Sequence, residues 1–162
     1  MRYISLFLTL IFVFFSNKSY SQQTFIHKEA GVQLVIPPGW FYESEDNNIT
    51  FYPEDKDLVV SITIHEMNNV ESIIDSLISD LTKLYTSVDL TNPKEDNIHG
   101  MKGWHFYGTA KNEEEDLMIQ YGLYLTPLNK ILELGVVASG DIFEKYKKDI
   151  KSIQDGLKPL EK

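Results

Sequence analysis

The sequence has 162 residues, 15 of them basic and 24 acidic, which gives a formal net charge of −9. This acidic balance argues against a nucleic-acid binder, because neutralising phosphates requires clustered Lys and Arg. The absence of cysteine rules out disulfides, thiol catalysis, cysteine-ligated zinc or iron–sulfur clusters, and a lipidated cysteine anchor. Hydrophobic residues make up 43% and aromatic residues 12%, which is enough for a packed core and argues against disorder.

Residues 1–21 have the pattern of a secretory signal peptide. Arg2 provides the positive start, residues 4–15 form the apolar run, and Ser19 and Ser21 are small residues suited to a cut after position 21. The alternative is an uncleaved membrane anchor, but about twelve apolar residues fall short of the roughly 20 that span a bilayer. We therefore expect an exported protein, periplasmic or secreted, that is soluble and not stably inserted in a membrane after cleavage.

Cleavage would remove Arg2 and Lys18 and no acidic residue, so the mature chain would carry 13 basic and 24 acidic residues, a net charge of −11. Such a surface suits solubility alone, and it is also compatible with divalent cations or a basic partner. The mature chain contains no linker, repeat or low-complexity segment. Residues 22–162 are therefore expected to form a single domain, large enough to bury a core without disulfides.

After a short polar lead at residues 22–30, runs rich in Val, Ile and aromatic residues alternate with turn residues. They predict strands at 31–36, 41–44, 49–53 and 58–65. Pro37, Pro38 and Gly39 end the first of these strands and form a stiff corner. Trp40 follows this corner directly, which makes it the best single candidate for a structural anchor.

A first helix is expected next, because Asn68 and Glu71 have the spacing of a capping box and apolar residues then recur at three- and four-residue steps through Tyr85. The following stretch returns to sheet. It predicts an irregular strand at 87–98 with a break at Pro93, then strands at 101–110, 117–125 and 130–138, with a hairpin loop at 111–116.

A second helix is predicted from near Asp141, with Glu144 three residues on as another capping box, to Gly156 and Pro159. Its buried face is expected to consist of Phe143, Tyr146, Ile150, Ile153 and Leu157. Strands followed by a helix, more strands and a second helix indicate an α+β protein: an antiparallel β-sheet flanked by two main helices.

Two segments carry a family resemblance: GVQLVIPPGW at residues 31–40 and IHGMKG at residues 98–103. An apolar strand, a proline–glycine–tryptophan corner, a later Ile-x-Gly-x-x-Gly segment and a closing helix resemble the PsbP-like superfamily, over roughly residues 25–160. That group includes the photosystem II protein PsbP, the Ran-binding protein Mog and bacterial envelope proteins such as DcrB. The resemblance implies an α/β/α sandwich and a role in binding a partner, without one shared activity or catalytic set.

No catalytic, metal or cofactor-binding residue is predicted. The four histidines lack an HExxH pair; His99 and His105 flank a glycine-containing turn, where separate roles are favoured over a shared metal site. No GxSxG motif accompanies the serines, and Ser139 precedes a helix as turn chemistry. The GxxG pair of Gly100 and Gly103 does not open a helix after a parallel strand, so nucleotide binding is rejected.

The candidate partner or ligand surface combines aromatic and acidic residues. Its members are Trp40, Tyr42, Trp104 and Phe106, which we expect to face one another across the sheet, and the acidic run Glu113, Glu114, Glu115 and Asp116. Aromatic side chains line binding grooves, although they are more often core. The acidic run favours a solvated hairpin tip, with calcium binding or a basic partner as alternatives.

The first functional hypothesis is an exported, non-enzymatic accessory or adaptor protein of the bacterial cell envelope that binds another envelope protein. The alternative is a carrier of a small ligand (lipid, peptide or sugar) in an apolar groove between sheet and helix. An enzyme of unrecognised type is a third hypothesis, and it would require a buried cluster of His and acidic residues.

Overall fold

The computed structural model describes residues 23–66, 69–113 and 115–161. The proposed signal peptide lies outside this range. The elements, in chain order, are β1 (Gln23–His27), β2 (Val32–Ile36), β3 (Trp40–Glu45), β4 (Asn48–Pro53), β5 (Val60–Glu66), α1 (Val70–Leu84), β6 (Thr86–Leu90), β7 (Lys94–Ile98), β8 (Met101–Lys111), β9 (Asp116–Leu125), β10 (Lys130–Ser139), α2 (Gly140–Asp155) and β11 (Lys158–Pro159).

The strands form two antiparallel sheets. The larger one has the order β3-β4-β5-β10-β9-β8-β6, with β7 pairing alongside β6 on the outer side of β8. The smaller one has the order β1-β2-β11. These two sheets with two helices confirm the predicted α+β class.

The two helices pack on opposite faces of the large sheet. On the face that we call the α1 face, Ile73, Leu77 and Leu81 of α1 lie in one core with Phe106 and Ile131. On the opposite α2 face, helix α2 and the small sheet share a second core, to which alternate residues of the central strands contribute. These include Ile62, Tyr124, Leu132, Leu134 and Val136. Alternation of side chains along each strand therefore supplies both layers, as in an α/β/α sandwich.

Both helix starts differ from the predicted ones. The N-cap of α1 is Asn69, whose Oδ1 accepts a hydrogen bond of 3.0 Å from the Glu71 backbone N–H, while the predicted cap Asn68 lies outside the described residues. The N-cap of α2 is Ser139 rather than Asp141, without a side-chain cap to the backbone. The Ser139 hydroxyl instead donates 2.6 Å to Asp141 in the first turn, where a carboxylate is favoured by the helix dipole.

The segment predicted as a polar lead contains strand β1. Apolar and polar residues alternate only weakly along β1, because this strand lies at the edge of the small sheet, where most of its side chains are exposed. Phe25 and His27 are the exceptions, and the Phe25 ring centroid lies 5.1 Å from that of Tyr42 and 5.9 Å from that of Phe51. These two aromatic contacts fix β1 against the large sheet, and a polar composition alone does not reveal them.

Candidate functional site

Trp40 is an anchor between β3 and α2, as predicted from the corner that precedes it. It is 5% exposed, and its indole Nε1–H donates 3.2 Å to Asp149 Oδ2 of α2. Its ring meets Tyr146 edge to face, with centroids 5.7 Å apart. Because this side chain is buried and partnered, it holds the corner in place and does not offer a binding surface.

A polar network continues from this corner to the β4–β5 turn. The Tyr146 hydroxyl donates 2.5 Å to Asp55, and Lys145 forms ion pairs with Asp55 at 2.9 Å and with Asp57 at 2.7 Å. The Tyr146 hydrogen bond, followed by the Lys145 hydrogen bond, lowers the pKa of Asp55 to about 2. These contacts fasten α2 to the turn.

Phe106 belongs to the core and drops out of the candidate surface. It is 1% exposed and stacks on Tyr121 beneath α1, with centroids 5.7 Å apart and planes 10° apart. Trp104 is only partly buried, at the rim of the same core. Lys102 Nζ lies 4.9 Å from the Trp104 ring centroid and 2.9 Å from Glu95, and this pairing lowers the pKa of Glu95.

The candidate aromatic residues do not face one another. Strands β4, β5, β10 and β9 lie between β3 and β8, which places Tyr42 and Trp104 about 24 Å apart across the sheet. Tyr42 also lies on the α2 face, whereas Trp104 lies on the α1 face. The sequence could not order the strands, and this order separates the two residues.

The acidic run forms the tip of the β8–β9 hairpin, as predicted for a solvated loop. Glu113 and Glu115 are exposed, and the Glu115 backbone N–H donates 2.8 Å to Asn112 Oδ1. Asp116 pairs with Lys111 at 3.0 Å, and Glu114 lies outside the described residues. The run therefore presents carboxylates to solvent on a defined turn.

The histidines have separate roles. Each ring has its own partner: the Ala30 backbone N–H for His27, Glu133 for His65, the Asp155 carbonyl for His99, and Asp96 for His105. Burial lowers the pKa of His27. Across residues 23–66, 69–113 and 115–161, no three His, Asp or Glu side chains come together in a group able to hold a metal ion.

A polar cleft of about 400 Å³ separates α1 from β5 and β10. At its floor, His65 Nε2 lies 2.8 Å from Glu133 Oε2, and serines 72 and 76 of α1 line the opposite wall. The Glu133 side chain is 15% exposed and the His65 side chain 29%. Besides this pair, the polar groups that line the cleft are the hydroxyls of Thr63, Ser72 and Ser76 and the carboxylate of Asp80.

The outer edge of β3 is a feature that the sequence analysis underestimated. Within the described part of the chain, β3 pairs with β4 on one side and with no strand on the other. Phe41 is 44% exposed and Tyr42 is 45% exposed on this strand. Phe41 stacks on Tyr52 at 6.1 Å, on the α1 face, where α1 does not reach. The adjacent aromatic pair Phe41-Tyr42 after a proline corner was the available signal.

Comparison with known proteins shows which solved structures this fold resembles. No protein-family model matches the sequence, and no curated protein matches it. The structure superposes on cyanobacterial PsbP (CyanoP) from Synechocystis sp. PCC 6803 with a TM-score of 0.62 and 13% identity, covering 88% of this chain and 94% of that one. The chain therefore has a PsbP-like fold.

Two further structures are similar to the same PsbP-like domain. LpqN of Mycobacterium tuberculosis, a protein involved in cell envelope biogenesis, gives a TM-score of 0.58 at 13% identity, covering 85% of this chain and 90% of LpqN. A Bacteroides thetaiotaomicron protein gives 0.58 at 12% identity, covering 86% of this chain and 48% of that longer chain. At these identities the likeness concerns the fold. No helix among the described residues is long and apolar enough to cross a membrane.

Proposed function

We propose that this chain is a non-enzymatic accessory protein of the bacterial cell envelope that acts by binding another protein. Two observations support the envelope part: the signal-peptide pattern of residues 1–21, and the fold shared with LpqN, which is involved in cell envelope biogenesis. The non-enzymatic part rests on the sequence, which contains neither an HExxH pair nor a GxSxG motif. The protein-binding part rests on the edge of β3.

The β3 edge offers main-chain hydrogen-bonding groups together with exposed aromatic side chains. An unpaired edge strand is a template for another strand, and proteins normally protect such edges with charge, proline or cover. Strand β7, at the opposite edge, shows this protection, because Lys94, Glu95 and Asp96 are exposed and follow Pro93. The first half of β3 carries Phe41 and Tyr42 instead, which favours strand addition by a partner there.

The flanking side chains indicate which segment the partner would add. Tyr42 and Phe25 lie on the α2 face, and Phe41 and Tyr52 lie on the α1 face, so an added strand meets an aromatic pair on either side. Three exposed acidic residues follow at the end of β3 and in its turn: Glu43, Glu45 and Asp46. An extended segment with apolar residues at one end and Lys or Arg at the other therefore complements this edge.

Site-specific photocrosslinking in intact cells tests the proposal. A photoreactive amino acid at position 42 of the tagged protein should capture a distinct envelope protein, whereas the same group at Asp96 on the opposite edge should not. Introducing Phe41→Ser beside the crosslinker should reduce the capture. Equal capture at both edges would contradict the docking edge, and capture only from the 113–116 hairpin tip would move the partner site there.

A further inference from the structure

Helix α2 leaves a cleft beside β8 and β9 at the end of the sheet far from β3. The cleft has two lobes, of about 420 Å³ and about 390 Å³, within the roughly 300–1,000 Å³ range of small-molecule sites. Tyr107, Lys151 and Gln154 line both lobes, so the lobes adjoin. We call this two-lobed space the α2 cleft.

The first lobe of the α2 cleft is mainly apolar, and the two lysines in its lining are paired, Lys147 with Glu144 and Lys151 with Asp155. Met118 of β9 is 38% exposed there and Tyr107 of β8 is 50% exposed, opposite Phe143 and Ile150 of α2. Exposed large apolar side chains beside a groove are a common mark of a ligand or partner site. The arrangement of ring, thioether and aliphatic surfaces suits an unbranched alkyl chain, because methionine adapts to flexible apolar groups.

At the junction of the lobes, a buried donor lacks a partner. The Gln154 Nε2 atom is buried and makes no hydrogen bond to any described residue. A buried amide without a partner is unfavourable, and nearly all such groups in proteins are satisfied. Since Gln154 lines both lobes, a rotation of its side chain would bring this amide to the junction, where a ligand oxygen would accept its hydrogen bond.

The second lobe is polar, and its charges are mostly paired within the protein. Lys151 Nζ lies 2.8 Å from Asp155, and His105 Nε2 lies 3.1 Å from Asp96. The contact between His105 and Asp96 has ion-pair distance but lacks hydrogen-bond alignment, so His105 Nε2 is a second buried polar atom without a hydrogen bond among the described residues. The acidic and basic side chains of this lobe nearly balance, so a charged head group would lose its hydration without gaining a strong ion pair. An uncharged head group is therefore favoured over a carboxylate or an ammonium.

We propose that the α2 cleft binds an uncharged amphiphile, with its alkyl chain against Met118, Phe143 and Ile150 and its oxygen-bearing head at Gln154. This site is separate from the proposed protein-binding edge, because it lies between α2 and strands β8 and β9, whereas the protein-binding edge is β3. The structure supports the two sites by independent observations, so the failure of one leaves the other intact.

The binding test uses the mature chain, residues 22–162, labelled with ¹⁵N and titrated with octyl glucoside below its critical micelle concentration. We expect saturable shifts at Tyr107, Met118 and Gln154. Nonanoate has the same eight-carbon alkyl chain with a charged head and should bind at least several-fold more weakly, and glucose should not bind. Shifts scattered over the surface would overturn the site, and equal binding of nonanoate would overturn the argument for an uncharged head.

Three variants distinguish a loss of ligand binding at either lobe from a general effect on folding. Met118→Asp places a charge in the apolar lobe and should abolish binding, whereas Leu128→Asp, at a residue 56% exposed outside this cleft, should not change it. Gln154→Leu removes the unpartnered donor, so it should weaken binding roughly two- to tenfold while raising Tm by a few degrees. Unchanged binding by Gln154→Leu would contradict the hydrogen bond to the head group.

Discussion

Replacing Trp40 with Phe should destabilise the fold without weakening partner capture. The substitution removes the Nε1–H that donates 3.2 Å to Asp149 and leaves a space where the larger ring of the indole was, in a site only 5% exposed. A hydrogen bond to a partly exposed carboxylate is worth about 1–2 kcal/mol, and the unfilled space adds about 1 kcal/mol. The expected loss in the free energy of unfolding is therefore about 2–3 kcal/mol.

Urea denaturation of the mature chain, followed by circular dichroism, measures this loss. Trp104→Phe is the matched control, because the chain has two tryptophans and this one is only partly buried; it should cost less than about 1 kcal/mol. A double-mutant cycle of Trp40→Phe with Asp149→Ala should give a coupling energy of about 1 kcal/mol. Additive effects would refute the anchoring hydrogen bond, and loss of partner capture by folded Trp40→Phe would refute its purely structural role.

Three further substitutions test other parts of the structure. Asp55→Asn should destabilise the protein at about pH 6, and the difference in the free energy of unfolding should shrink as the pH falls from about 4 toward 2. The reason is that the fold lowers the pKa of Asp55 from 3.8 to about 2, so its contribution to stability is lost only when it is protonated. Acid titrations of both proteins measure this difference. Gly135→Ala would place its Cβ 2.3 Å from the Tyr121 ring, so denaturation should show a loss of about 1–3 kcal/mol. Gln154→Leu should increase the free energy of unfolding by about 1 kcal/mol, since it removes a buried donor without a partner; an unchanged or lower value would show that this amide is satisfied.

Local patterns in the sequence predicted most of the elements. All five residues expected on the buried face of the second helix are buried: Phe143, Tyr146, Ile150, Ile153 and Leu157. On the first helix, Ile73, Leu77 and Leu81 are buried, but Leu84 is 71% exposed, whereas the next residue, Tyr85, packs against the core. Periodicity therefore predicts a buried stripe but not which of two adjacent residues at its end faces the core.

The candidate surface was harder to predict, because it depends on strand order. The sequence places Tyr42 and Trp104 on strands but contains no local signal that four other strands separate them. It also gives no signal that distinguishes buried Phe106 from exposed Tyr107, since the two are adjacent aromatic residues in one strand. The register against β9, which directs Phe106 toward Tyr121 under α1, makes that distinction.

The α2 cleft illustrates a related point. Gln154 occupies an ordinary helical position in the sequence, and only the packing of α2 against β7 and β8 buries its amide. The local patterns that a single sequence offers, such as capping boxes, prolines and apolar residues at helical spacing, contain nothing that marks such a residue. Buried groups without partners become visible only when the tertiary structure is known.

Hydrogen–deuterium exchange of the protein, alone and with its crosslinking-identified partner, tests the central claim most directly. If a partner segment adds to the β3 edge, the backbone amides of residues 41–45 should become protected in the complex, while those of 94–98 on the opposite edge should exchange as before. Protection confined to 94–98 or to the 113–116 hairpin tip, with no change at 41–45, would contradict the account.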